Sequence, residues 1–573
     1  MSALNRGSDK CATSAWRWRV AVLLGCAMAL AGGCTGEFYK RRADKETYGI
    51  IKDKEKAVHG ASSEFSIESG RQGVRESFPS ATKPYEPPLD RPDEAAKDDG
   101  PAETKPMVLP LAECLRLATL ATDRYQREKE TLYLSGLALT LARHRYTPIF
   151  SSLLSGELTR SGPNENRQWD ADSSGTLRIA KNFATGATAS LSYALNFARI
   201  VSTGDKADIT ASLEGNLVQP LLRGAWPRVA LENLTQAERD TINAVRRFAR
   251  FKQTFAVQVA SDFYRALQRE DELRNEWKNY QNLMASRERA EGLAQAGRMR
   301  ELEVDQARQD ELRARDRWIR ALQTYQTQID QFKLSLGLTT DANVIPDRKE
   351  LDLLAQRGIV PVKVELEEAI EIAFGERFDL MTSRDLVADA DRKVYVAKHN
   401  ATLPELSVEF DAQVNSKAPR NWTHMQFHES TYSVGSSLNP RFDRKADRNT
   451  YRQALITHEQ TKRQLEDQID QIKLEVRGAF RRLREAEQTH EIQRTSLELA
   501  RRRVESAELM LQAGRATTRD LLEAREALVR AQNAVTAALI SHRLERLNFE
   551  RDIGRLRILE DGKWEGYEDQ PGP

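Results

Sequence analysis

LAQAGRMRELEVDQARQDEL (293–312) and MLQAGRATTRDLLEAREALV (510–529) share a tetrapeptide, QAGR, at 295–298 and 512–515. In both places a Gly-Arg interrupts a long run of good helix formers that resumes at once. A glycine at such a point ends one helix by taking positive φ, and the renewed pattern starts another. The two stretches therefore predict two helical hairpins in one chain, turning at Gly297 and Gly514.

The proline map extends this reading. None of the 19 prolines falls in 111–147, 228–345, 366–403 or 441–570. Proline inside a helix costs ~3 kcal/mol, so such clean runs suit long helices. Helices are expected over 111–146, 228–296, 298–337, 366–402, 441–513 and 515–556. At 1.5 Å per residue the run 228–296 is about 100 Å long. The two shorter helices 111–146 and 298–337, stacked end to end, match that length, and the second half repeats the arithmetic.

The halves correspond in detail. LAECLRLA (111–118) parallels LEEAIEIA (366–373), Pro148 parallels Pro404, and Pro220 parallels Pro440. Gly337 and Gly554 each lie 40 positions after the QAGR glycine. Ala307, Ala314 and Ala321 align with Ala524, Ala531 and Ala538 at heptad steps. Small residues on a repeated seam let helices run closely side by side, as in coiled coils. The halves differ mainly between their prolines: 72 positions separate Pro148 from Pro220, but 36 separate Pro404 from Pro440.

Those inter-proline regions change period. ELSVEFDAQV (405–414) alternates apolar and polar throughout, and TASLSYALNF (188–197) and ITASLEGNLV (209–218) put apolar residues on one face. Period two over about ten residues describes a half-buried strand, and also an outer-membrane strand. Trp169, Tyr193, Phe197, Trp422 and Tyr432 are candidate interfacial aromatics. Two or three strand pairs are too few to close a membrane barrel, which needs about eight strands or more. An open edge in lipid leaves backbone groups unpaired, so several chains are expected to share one barrel.

The N-terminus is a targeting segment. Arg6, Lys10, Arg17 and Arg19 precede the apolar run 20–33, which ends AGG before Cys34. This resembles a bacterial lipoprotein signal, which implies lipidation at Cys34; Ala31 departs from the usual leucine, and ordinary secretory cleavage nearby is the other reading. Three of the four cysteines lie in the first 34 residues, which argues against a disulfide framework or a cysteine-based zinc site. Mean hydropathy is −0.61. A net charge of only +2 gives no nucleic-acid footprint.

The doubled helix start (LAECLRLA, LEEAIEIA), the proline before the first strand, VQPLLRG (218–224), the glycine turns and SLGL (335–338), in this order, resemble the TolC-type outer-membrane efflux channel family over about 109–558. The resemblance implies a fold that is mainly α with a membrane β-barrel portion, in two tandem repeats. It implies a homotrimer acting as the exit duct of a tripartite efflux or type I secretion system. Its partners would be outer-membrane lipid, a periplasmic adaptor and an inner-membrane pump, a proton-driven (RND) or ATP-driven (ABC) exporter. Gly297, Arg298, Gly514 and Arg515 fall where the family docks its adaptor, although a plain helix stop explains the glycines equally. Glu303, Asp520 and Glu523 fall where acids narrow the periplasmic entrance, although acids in a first turn also favour the helix dipole.

The expected organisation is a signal peptide (1–33), a partly disordered spacer (34–107), a first repeat (108–345), a linker (346–365), a second repeat (366–558) and a tail (559–573). A family-like four strands per chain, 12 in a trimer, is the favoured count. An apparent further pair, 175–182 and 187–198 around FATG (183–186), would raise it to 18 or form an outer loop. His424 and His428 have metal-binding spacing only if helical; the segment reads as a loop. No nucleophile–base set or phosphate loop stands out, so neither catalysis, cofactor nor metal is expected. A lipid-anchored periplasmic coiled-coil protein without a pore is the alternative, and the alternating strands argue against it.

Overall fold

The computed structural model describes residues 36–60, 65–78, 106–162, 168–200, 208–359, 361–362, 364–417, 421–513, 515–559 and 561–565. Cys34 and Gly514 lie outside these. In chain order the first half contains α1 (Gly36–His59), α2 (Arg71–Ser77), β1 (Met107–Leu109), α3 (Leu111–Ala121) and α4 (Asp123–His144). It continues with β2 (Ile149–Ser161), β3 (Gln168–Asn182), β4 (Thr188–Ile200) and β5 (Asp208–Pro220). The hairpin follows as α5 (Pro227–Ala230), α6 (Glu232–Gln295) and α7 (Glu301–Ser335). Then come β6 (Val344–Pro346), α8 (Lys349–Arg357), α9 (Leu366–Glu376), α10 (Phe378–Thr402), β7 (Glu405–Lys417), β8 (Asn421–Met425) and β9 (Thr431–Asn439). The chain closes its second hairpin with α11 (Lys445–Gln512) and α12 (Thr518–Asp552).

The long helices α6 and α11 have 64 and 68 residues, about 95–100 Å each. Along α6 lie α4 towards the sheet and α7 towards the hairpin turn; α10 and α12 flank α11 in the same way. Helices α10 and α12 also contact α6, joining the halves into one layer. Ala307, Ala314, Ala524, Ala531 and Ala538 are all buried, so the small-residue seam is the packing surface.

One expectation is corrected, and two regions gain detail. The helices expected at 111–146 and 366–402 each break once, at Thr122 and Arg377, where the backbone turns extended. No proline marks either break, and only the second has a glycine nearby, Gly375. Its cause is tertiary: Gly337 and Gly554, with φ +78° and +85°, pack their bare Cα against Ala121 and against Glu376–Arg377. Within 34–107, where the sequence also fits a short helix near 43–55, the structure has the longer α1, which docks on α4 and α6. Ile50, Ile51 and Thr47 are buried, and Lys54 pairs with Glu238. Its polar composition hid a narrow apolar edge. The sheet has six long strands in the order β2-β3-β4-β5-β7-β9, with short β8 also on β7, and the further pair around FATG is part of it as β3 and β4.

The breaks are the equator of the molecule. Thr122 meets α7's end through its hydroxyl on Ser335 O (3.4 Å). Arg377 is buried, donating to Asp379 (2.5 Å), Glu475 (2.8 Å) and Asp552 O (3.2 Å). Burial works against the Asp379 charge, but Arg377 outweighs it and holds the carboxyl below its ordinary value.

A Cβ on Gly337 would lie 2.5 Å from Ala121 O, a backbone atom that cannot swing away; on Gly297 it meets nothing within 4 Å. Gly297→Ala is therefore expected to cost about the positive-φ strain alone, ~1 kcal/mol. Gly337→Ala should cost clearly more, with Gly554→Ala (nearest atom 3.1 Å) between them. Chemical denaturation followed by circular dichroism checks the ranking; equal losses at all three would contradict it.

Candidate functional site

Side chains opposite one another in antiparallel strands project from the same face, and each strand alternates. Register therefore assigns every sheet residue to a side. One side collects Phe150, Leu154 and Leu158 on β2, Leu177 and Ile179 on β3, and Leu191, Tyr193, Leu195 and Phe197 on β4. It continues through Ile209, Leu213 and Leu217 on β5, Leu406, Val408, Phe410 and Val414 on β7, and Tyr432, Val434 and Leu438 on β9. The opposite side carries Asp172, Ser174, Thr176, Arg178, Ser190, Ser192, Asn196, Glu214, Asn216, Glu409, Asp411 and Gln413. Leu153 is its main apolar exception.

The apolar side is uncovered. Phe150, Leu154 and Val434 are 74%, 79% and 74% exposed, and a continuous apolar face of this extent marks an interaction surface, not a wet one. Four of the five candidate interfacial aromatics, Trp169, Tyr193, Phe197 and Tyr432, lie on it, while Trp422 is on the short β8. Arg160 sits over the Trp169 ring at 5.9 Å. The polar side is knit by short-range bonds, Asn216 to Asp411 at 2.7 Å, Ser155 with Ser174 at 2.7 Å and Ser407 with Ser437 at 2.8 Å. Among the described residues β2 pairs only with β3, and β9 only with β7, so the sheet ends in two free edges. Ion-paired Arg223 and Asp447 (3.1 Å twice) tie the foot of the sheet to α11.

The other end of the molecule holds the two turns. Arg298 N donates to Leu293 O (2.9 Å) and Arg515 N to Met510 O (2.8 Å). This six-to-one bond, with Gly297 at φ +70°, is a Schellman cap, so QAGR is the same stop used twice. Both arginine side chains are exposed, and Leu302, Leu509 and Met510 nearby are exposed too. Asp520 is spent on its own helix start. Thr517 N and its hydroxyl donate to Asp520 Oδ2 (2.8 and 2.7 Å), and Asp520 N donates back to Thr517 (3.3 Å). Those bonds hold the Asp520 carboxyl below its ordinary value. Glu523 pairs with Arg519 (3.3 Å) and reaches Arg503 (4.0 Å). Glu303, in the first turn of α7, has no ion pair among the described residues.

Higher up, the hairpins are bound to each other. Arg317 reaches Glu526 (3.3 Å), Asn275 donates to Asn533 (2.8 Å) and Thr536 to Asp271 (2.8 Å). Nothing in the sequence flagged these pairs, because each joins residues more than 200 positions apart or in different halves. His424 and His428 lie on β8 and on a short 3-10 turn, Phe427–Glu429. Among the described residues no helix is long and apolar enough to cross a membrane.

Residues 369–546 match the family model described as outer membrane efflux protein. The matched stretch lies in the second repeat. Solved structures show the same fold. The CmeC outer membrane channel of Campylobacter jejuni superposes with a TM-score of 0.57 at 13% identity, covering 86% of this chain and 96% of its own. VceC, an outer membrane protein of Vibrio cholerae, gives 0.55 at 14%, covering 78% and 96%. The open-state MtrE outer membrane channel of Neisseria gonorrhoeae gives 0.56 at 11%, covering 83% and 97%. No curated protein matches the chain in sequence. The matched family is that of outer membrane efflux proteins, and CmeC, which shares the fold, is an outer membrane channel.

Proposed function

We propose that three copies of the chain form the exit duct of a tripartite efflux or type I secretion system. The sheets share one outer-membrane barrel and the helices form a tube across the periplasm. The observation that carries this reading is the two-faced, two-edged sheet. A bare apolar face suits lipid, the polar face suits a water-filled lumen, and free edges need neighbours to be tolerated in lipid. A pore-free periplasmic coiled-coil protein would have no use for such a face. Cys34, at the end of the leader, would anchor the N-terminus by lipidation, two residues before α1 begins.

In this arrangement the QAGR turns are the periplasmic tips. Arg298 and Arg515, with the exposed Leu302, Leu509 and Met510, would meet the hairpin of a periplasmic adaptor, itself bound to an RND or ABC exporter in the inner membrane. Glu303 and Glu523 would face the narrowing entrance, while Asp520 contributes mainly by fixing the start of α12. The exported compounds would be selected by the pump.

Purified protein in planar bilayers is expected to conduct ions as an assembled trimer. Glu303→Gln with Glu523→Gln should lower its preference for cations over anions. A non-conducting monomer would sink the duct reading, and unchanged selectivity would remove the acids from the entrance. For docking, photo-cross-linking in cells from position 299 should trap an adaptor. Arg298→Glu with Arg515→Glu should reduce the yield several-fold, and an undiminished yield would place the contact elsewhere.

A further inference from the structure

We infer that each chain supplies six membrane-spanning strands, so that the shared barrel closes at 18 strands, half as many again as four per chain would give. This rests on the trimeric duct proposed above, and concerns how wide its outer end is. The strands at issue are β3 and β4, which make the first half's strand region twice as long as the second's.

Topology is the first argument. β3 and β4 stand between β2 and β5, and β2 touches β5 nowhere in the sheet order. They cannot be lifted out as a loop without cutting the wall. Height is the second. β3 and β4 pair over Asp170–Asn182 and Thr188–Ile200 without interruption, and β3 pairs with β2 over all 13 residues of that strand. Their connecting turn, Phe183–Gly186, sits at the helical end of the sheet, not beyond the far rim. There Asn182 donates to Arg145 O (3.0 Å) and Thr185 to Gln219 Oε1 (3.2 Å). Gly186 (φ +86°) packs so closely on Gly224 O that a Cβ would lie 2.4 Å from it. The turn is thus seated among the residues that follow α4 and precede α5.

Chemistry is the third. The two-sided pattern runs through β3 and β4 as it does through their neighbours: Leu177, Ile179, Leu191, Leu195 and Phe197 share the apolar side. A hairpin standing in water outside the membrane has no use for it.

Circumference is the fourth. Strands ~4.8 Å apart and tilted by ~40° occupy about 6.3 Å of rim each, so six span about 38 Å and four about 25 Å. The helical layer beneath is four abreast (α4 or α7, α6, α10 or α12, α11), and at ~9 Å spacing spans about 36 Å. Six strands continue that layer without a step; four require it to taper. The backbone diameter becomes about 36 Å instead of about 24 Å, in the range where barrels enclose an open aqueous channel. Because every hairpin is antiparallel, β2 and β9 run in opposite senses, and the free β2 edge of one copy can pair with β9 of the next. The outer end would then pass hydrated solutes of a girth that 12 strands would stop, over a lumen of serine, threonine, asparagine and carboxylate side chains.

Spin labels at single introduced cysteines, Leu177→Cys and Leu195→Cys against Thr176→Cys and Asn196→Cys, test this in reconstituted, conducting protein. Collisions with oxygen should dominate at 177 and 195, and collisions with a water-soluble nickel chelate at 176 and 196. Equal access of the chelate to both faces would put β3 and β4 outside the bilayer and leave a narrower duct that still conducts. Loss of conduction in the unlabelled chain would instead count against the duct itself. Should a variant fail to assemble, the unmodified barrel in nanodiscs can be measured by electron microscopy; about 36 Å supports 18 strands, and about 24 Å refutes them.

Discussion

A backbone N–H or C=O inside a bilayer has no water to turn to, so every one must find a partner in protein. In the proposed duct the sheet of this chain could not meet that rule alone: it would offer lipid an apolar face, and among the described residues it ends in two unpaired edges. Only neighbours can complete it. The remaining architecture serves that requirement, since the helical layer beneath must hold each chain's arc of sheet at the angle where arcs meet. The Arg223–Asp447 pair at the sheet's foot and the Arg377 cluster at the equator are the rigid points of that hold.

The helical layer itself is one solution used twice. Each half places a broken helix pair beside a long helix, and each uses a positive-φ glycine at the end of the returning helix to press on the break. The first copy is the tighter, and the second adds a buried arginine where the first has Thr122. The halves have diverged most in the sheet, where four strands answer two. That asymmetry is tolerated because an antiparallel wall can gain a hairpin without changing the direction of the strands on either side.

Much of this was legible in sequence. The QAGR pair, the clean proline gaps and the aligned alanines gave the hairpins, because helix stops and heptad seams are local or periodic signals. The strands β5 and β7 were legible for the same reason. What escaped was set by contacts distant in sequence. Thr122 and Arg377 break their helices because Gly337 and Gly554 arrive there, and neither residue is itself a breaker. Helix α1 buries few apolar side chains, among them Ile50 and Ile51, within a charged run. The strand count stayed open because the pair around FATG fits an outer loop hairpin as well as a wall pair, and alternation alone does not place a hairpin in a sheet. At the tips, Thr517 and Asp520 stand at capping-box spacing and make both of its bonds, whereas the sequence did not show that Glu523 meets Arg519 and Arg503.

The central claim is that separate chains complete one wall by joining the β2 edge of one to the β9 edge of the next. Leu154 and Val434 lie on the outer face of those edge strands, each five residues from the helical end. Within a chain they are five strands apart, about 24 Å. A chain carrying Leu154→Cys and Val434→Cys, treated in membranes with a short bis-maleimide cross-linker, should run as covalent dimers and trimers and no larger species. Monomers alone, from protein shown to be membrane-inserted, would contradict it.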